Sequence, residues 1–85
     1  MKESANCLYV VTQCDYDDFS FGCLGVFDNY NKAMKTIKDD VILQSNENKV
    51  NDYKLESFGD SFIAYFVGHH CSFELHYQID CAYVD

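Results

Sequence analysis

The chain has no arginine, no proline and no tryptophan, and six lysines stand against fourteen carboxylate side chains. Each shortage excludes something. Arginine is the residue that grips phosphate and carboxylate in a fixed fork geometry. A formal charge of −8 on 85 residues repels DNA, RNA and anionic membranes and favours basic surfaces. Without proline there is no helix kink, cis X-Pro bond or proline-rich linker to place. The longest apolar run, residues 62–67, is six residues long, far short of the roughly 20 that a membrane-spanning helix needs. The opening residues show no basic stretch followed by an apolar one, so no secretory signal is expected.

What is present is a dense supply of large side chains. Seven Phe and seven Tyr make the chain 16% aromatic, which sets it apart from disordered acidic sequences. Its length suits one domain, residues 1–85, burying roughly 60% of its unfolded surface. Five cysteines, an odd number without a signal peptide, point to a reducing cytoplasm and free thiols rather than a disulfide framework. Most of them sit inside apolar runs, where cysteine behaves as a small hydrophobe.

Pattern reading divides the chain into six elements. Residues 7–14 (C-L-Y-V-V-T-Q-C) are β-branched and aromatic, as strands prefer. An Asp-rich stretch, residues 15–18, predicts a polar turn. A second strand over residues 19–27 closes an antiparallel hairpin with an acidic tip. Asp28 or Asn29 caps a helix, in which Tyr30, Ala33, Met34, Ile37 and Val41 form one apolar stripe. Lys32, Lys35 and Lys38 lie off that stripe, and the helix is expected to fade near Leu43 or Gln44. Residues 45–49 read as a loop. Strands follow at 52–58 and 61–67, with turns at Gly59-Asp60 and Gly68-His69-His70. In the last segment Phe73, Leu75, Tyr77, Ile79, Cys81 and Tyr83 alternate with Glu74, His76, Gln78, Asp80, Ala82 and Val84, the period of a strand with one buried face. Running straight it would extend roughly 40 Å, so a bulge, a bend or pairing with a second subunit is expected. The fold class is therefore α+β: an antiparallel sheet of four or five strands in the order β-β-α-β-β-β, with one helix packed on one face. Tyr30, Met34 and Ile37 are expected against the first, second and last strands. Aromatics on the other face would be exposed or form an interface.

The run Leu8-Tyr9-Val10-Val11-Thr12, with Gly25-Val26-Phe27-Asp28, Lys32-Ala33 and the closing Val84-Asp85, resembles a loose group of small phage-type α/β proteins. These open with a Y-V-V-T strand, end a hairpin in G-V-F and enter a helix carrying a K-A pair. The match covers about half the chain. It implies a phage or mobile-element setting, in which small acidic proteins often block host defence nucleases, and it carries over no catalytic residue. The additional cysteines and the Gly68-His69-His70-Cys71 segment depart from that group.

Several chemistries can be weighed against the residues. His69, His70 and Cys71 are the compact soft-ligand cluster, but zinc asks for four ligands at C-x₂₋₄-C or H-x₃₋₅-H spacing, and His76 and Cys81 fall on opposite faces by parity. Asp15, Asp17 and Asp18 lack the glycine and the twelfth-position Glu of an EF-hand loop. Cys71, His70 and Asp60 carry no nucleophile signature. No cofactor, metal or catalytic residue is assigned, and an enzyme is not expected.

The acidity is the remaining signal. Along a strand, residues on one face stand about 6.6–6.8 Å apart, close to the phosphate spacing of a nucleic-acid strand. The leading expectation is a non-catalytic inhibitor in the host cytoplasm. It would use Asp15, Asp17, Asp18, Asp39, Asp40, Asp52, Glu56 and Asp60 to occupy the basic nucleic-acid surface of a restriction or CRISPR effector, as an anti-restriction or anti-CRISPR nucleic-acid mimic, without binding nucleic acid or membrane itself. The alternatives are a homo-oligomer, pairing through a sheet edge or an exposed aromatic face, and a small metal-binding protein using residues 69–71.

Overall fold

The computed structural model describes residues 6–15, 20–50, 52–68 and 72–84. It is the expected α+β fold, with strands β1 (Asn6–Asp15) and β2 (Ser20–Phe27), helix α1 (Tyr30–Glu47), and strands β3 (Asp52–Phe58), β4 (Ser61–Val67) and β5 (Ser72–Val84). All five strands form one antiparallel sheet in the order β2-β1-β5-β4-β3. The last strand in the chain is thus the middle strand of the sheet, and the edges are β2 and β3. The helix connects those two edges. Five strands at roughly 4.8 Å spacing are about 19 Å across, and eighteen residues of helix rise about 27 Å, so α1 is long enough to carry the chain from one edge to the other.

Asn29 settles the start of the helix: its Oδ1 accepts from the backbone N–H groups of Asn31 and Lys32, at 2.7 and 3.4 Å, satisfying two of the orphan donors of the first turn. The end falls later than the composition suggested. Residues 45–47 are helical, because Ser45 is buried and its hydroxyl donates to the Ile42 carbonyl at 2.9 Å. The backbone N–H of Val50 then bonds back to the Ser45 carbonyl and delivers the buried Val50 side chain to the core.

The core lies between α1 and one face of the sheet. Ala33, Ile37 and Val41 from the helix meet Val11, Phe62, Ala64, Phe66, Leu75, Tyr77 and Ile79 from β1, β4 and β5. Met34 packs at its margin. Tyr30 is partly exposed but places its ring edge-on to Tyr9 of β1, with centroids 5.6 Å apart. Period two in β4 is complete: Phe62, Ala64 and Phe66 are buried on the helix side, while Ser61, Ile63 and Tyr65 are half-buried on the other. In β2, Leu24 is the extra residue of a bulge opposite Val11 and Thr12. The bulge lets Leu24 reach the core cluster. Beside it, a Cβ on Gly25 would sit 2.7 Å from the Phe27 ring, closer than real contacts allow.

Two expectations are corrected. The long last strand needs neither a bend nor a second subunit. Residues 72–78 of β5 pair with β4 and residues 76–84 pair with β1, so two staggered hairpins share its length, and the molecule extends to 55 × 22 × 21 Å. Nor are all the thiols free. The β1–β5 register sets Cys7 opposite Tyr83 and Tyr9 opposite Cys81. The two cysteines are therefore diagonal neighbours on one face, their Cα atoms 6.2 Å apart, and they are joined as a disulfide. Cys14 and Cys23 are free. Cys71, the expected acidic tip at Asp17 and Asp18, and the His69–His70 turn lie outside the described residues.

Candidate interaction face

One helix covers one face of the sheet, and among the described residues no layer lies over the other face. Strand parity and register decide what that open face displays. β3 contributes Asp52, Lys54, Glu56 and Phe58; β4 contributes Ser61, Ile63, Tyr65 and Val67; β5 contributes Glu74, His76, Gln78 and Asp80; β1 contributes Val10, Thr12 and Cys14; β2 contributes Phe21, Cys23 and Val26. Read across the strands, Lys54, Tyr65 and Glu74 form one row, and Glu56, Ile63, His76, Cys14 and Phe21 the next. β3 and β5 thus flank an apolar strip on β4, with Glu74 across it from Lys54 and on the diagonals from Asp52 and Glu56, while Asp80 lies beyond the end of β4, opposite Val10 of β1.

Side chains on this face engage one another. Lys54 Nζ lies 2.7 Å from Glu56 Oε2, and that hydrogen-bonded contact raises the Lys54 pKa above its ordinary value. His76 Nε2 lies 3.5 Å from Glu74 Oε1, and Gln78 Nε2 donates to Asp80 Oδ1 at 2.9 Å. Among the described residues the strands place four carboxylates and one lysine on this face. A recess of about 240 Å³ opens where Thr12, Cys14, Phe21, Phe58, Ile63 and His76 converge.

The acidic residues chosen from the sequence do not share one surface. Asp52 and Glu56 stand together on the open face of β3. Asp60 is exposed in the β3–β4 turn, where its carbonyl accepts from the Ile79 N–H at 2.9 Å. Asp15 is half-buried at the end of β1. Asp17 and Asp18 lie outside the described residues. Asp39 is on the solvent side of α1, paired with Lys35 at 3.0 Å. Asp40, the next residue, turns inward, and its Oδ2 accepts from the Tyr77 hydroxyl at 2.7 Å and from Gln13 Nε2 at 2.6 Å. That carboxylate ties α1 to β5 and β1. Burial, and then the bond to Asp40, push the Tyr77 hydroxyl well above its ordinary range.

Glu74 and Asp80 belong to the open-face set; the sequence pattern puts them on the polar side of the last strand, but they were not among the acidic residues expected to bind the partner. The signal was in the chain: both occupy polar positions of the β5 alternation. What was lacking was the strand order that brings β5 alongside β4 and one strand away from β3. Among the described residues no group of three or more His, Cys, Asp or Glu could hold a metal ion, and no helix is long and apolar enough to cross a membrane. Comparison with protein-family models, with curated proteins and with solved structures finds no match to this chain.

Proposed function

We propose that this protein is a non-catalytic docking module that lays its open sheet face on a basic protein surface of the kind that holds nucleic acid, and so keeps nucleic acid out. The observation that carries the reading is the set of carboxylates on the two strands beside the apolar strip Ile63, Tyr65 and Val67: Asp52 and Glu56 on β3 and Glu74 on β5, with Asp80 further along β5 beyond the end of β4. An apolar strip supplies contact area, while flanking charges steer the encounter and select a cationic partner. The net charge of −8 extends that steering beyond the face itself. The phage-type resemblance supports a host restriction or CRISPR effector as the partner. It also supports a cytoplasmic setting, where the Cys7–Cys81 bridge would have to persist against a reducing thiol pool.

The test is capture from host lysate at about 0.1 M and about 1 M salt, between which screening shortens from about 10 Å to about 3 Å. Wild type is compared with a variant carrying Asp52→Asn, Glu56→Gln, Glu74→Gln and Asp80→Asn. The expected result is a nucleic-acid-binding protein held by wild type at low salt, released by high salt or by added duplex DNA, and not held by the variant. Equal recovery by the two proteins overturns the reading, as does recovery of no nucleic-acid-binding protein at either salt.

A further inference from the structure

The two edges of the sheet differ in a way that docking by the open face does not use. β3 carries Asp52, Lys54 and Glu56, and charges of this kind blunt an edge against strand addition. β2 reads S-F-G-C-L-G-V-F and has no charged side chain along its length. The other strand without charge, β4, is interior. β2 also displays apolar surface on the open face, with Phe21 74% exposed and Val26 54% exposed. We propose that the β2 edge is a self-association site, at which a second copy of this chain adds its own β2 antiparallel about a two-fold axis.

Charge selects the occupant. A basic partner finds no carboxylate on β2 to pair with. Two copies each carrying −8 repel over most of their surfaces, and along β2 neither copy brings a charged side chain to oppose the other. A second copy also brings a neutral strand of the same length by construction, and two-fold pairing of one patch with itself is the commonest route to a closed dimer.

Register follows from symmetry. With the axis between Cys23 and Leu24, Phe21 of one copy faces Val26 of the other on the open face, twice, an aromatic pair with a β-branched residue of the sort that stabilises sheets. Gly22 faces Gly25 and puts no side chain between the backbones; a Cβ at Gly22 would have nothing within 4 Å. The bulge at Leu24 interrupts the ladder, so pairing is carried by residues 20–22 of one copy against residues 25–27 of the other, on both sides of the axis. The product is a ten-stranded sheet with both helices on one side and both open faces on the other, doubling the docking surface.

Sedimentation equilibrium on the full chain at about 0.1 M and about 1 M salt tests this. Wild type should form a dimer that tightens as salt rises, because screening relieves the repulsion between the two acidic bodies. That trend is opposite in sign to partner docking, so the two proposals can fail separately. A variant carrying Phe21→Glu and Val26→Glu, both exposed positions, opposes like charges across the axis. It should keep the wild-type far-ultraviolet circular dichroism and raise the dimer Kd at least about tenfold, roughly 1.4 kcal/mol. A monomer at every concentration in both salts overturns the proposal. So does a dimer that dissociates as salt rises, or one that the double variant leaves unchanged.

Discussion

The two faces of this sheet are made by the same strands, residue by residue in alternation, yet they are different materials. On the helix side Phe62, Ala64, Phe66, Leu75, Tyr77 and Ile79 are sealed beneath Ala33, Ile37 and Val41, and the carboxylate that enters this layer, Asp40, is held by Tyr77 and Gln13. On the open side Ile63 and Tyr65 are half-buried by their neighbours alone, and the carboxylates face solvent. The difference teaches that apolar packing and surface charge are divided between faces. Packing energy follows the side chains removed from water, whereas charges retain long-range influence where they stay in it.

That division can be broken at particular residues. The largest effect is expected from Phe66→Ala on the helix side, where the ring is buried and stacks on Phe73 with centroids 4.5 Å apart. Losing it should cost about 3–5 kcal/mol in urea unfolding, against about 1–2 kcal/mol for Ile63→Ala on the open side. Equal losses would erase the contrast.

Next is Asp40→Ala, which leaves the Tyr77 hydroxyl without its acceptor. About 1–3 kcal/mol of stability should be lost, while the open face, and hence partner capture, should be unaffected.

The alkaline limb sharpens the same point. The unfolded chain releases the Tyr77 proton near the ordinary value of 10.0 and the folded chain holds it to higher pH. The unfolded state therefore binds fewer protons above about pH 10, and stability falls as pH rises there, by up to about 1.4 kcal/mol per pH unit from this residue. Below about pH 10 the contribution is fully present. Tyr77→Phe should flatten the fall when unfolding is compared between about pH 9 and 11. An unchanged slope would mean that the hydroxyl is not held as described.

The smallest effect belongs to Asp39→Asn, one residue from Asp40. Its exposed pair with Lys35 should contribute no more than about 0.5 kcal/mol, measured as a shift in the urea midpoint. A loss matching that of Asp40→Ala would mean that Asp39 is not the exposed neighbour and Asp40 the inward one.

The elements themselves were legible. The alternation of β5, the capped apolar stripe beginning at Asn29, and the Gly59-Asp60 turn are local patterns, set by backbone geometry and side-chain period within a few residues. Where local composition misled, a distant contact was responsible. Residues 45–47 look like a loop, but burial of Ser45 and Val50 extends the helix over them. Asp39 and Asp40 look alike, but Asp39 pairs with Lys35 at the surface, whereas Asp40 is bonded by Tyr77, 37 residues further along.

By itself, then, the chain determined how many strands and helices there are, which residues face inward along α1 and β5, and the strong negative charge, because these depend on neighbours in sequence. Only the tertiary structure decided that β5 is central, that two offset hairpins share its length, that Cys7 meets Cys81, and that carboxylates from β3 and β5 stand on the face opposite the helix. These are choices of register and strand order. They are settled by which long-range pairing buries the most apolar surface under a single helix, a comparison that no local stretch of sequence contains.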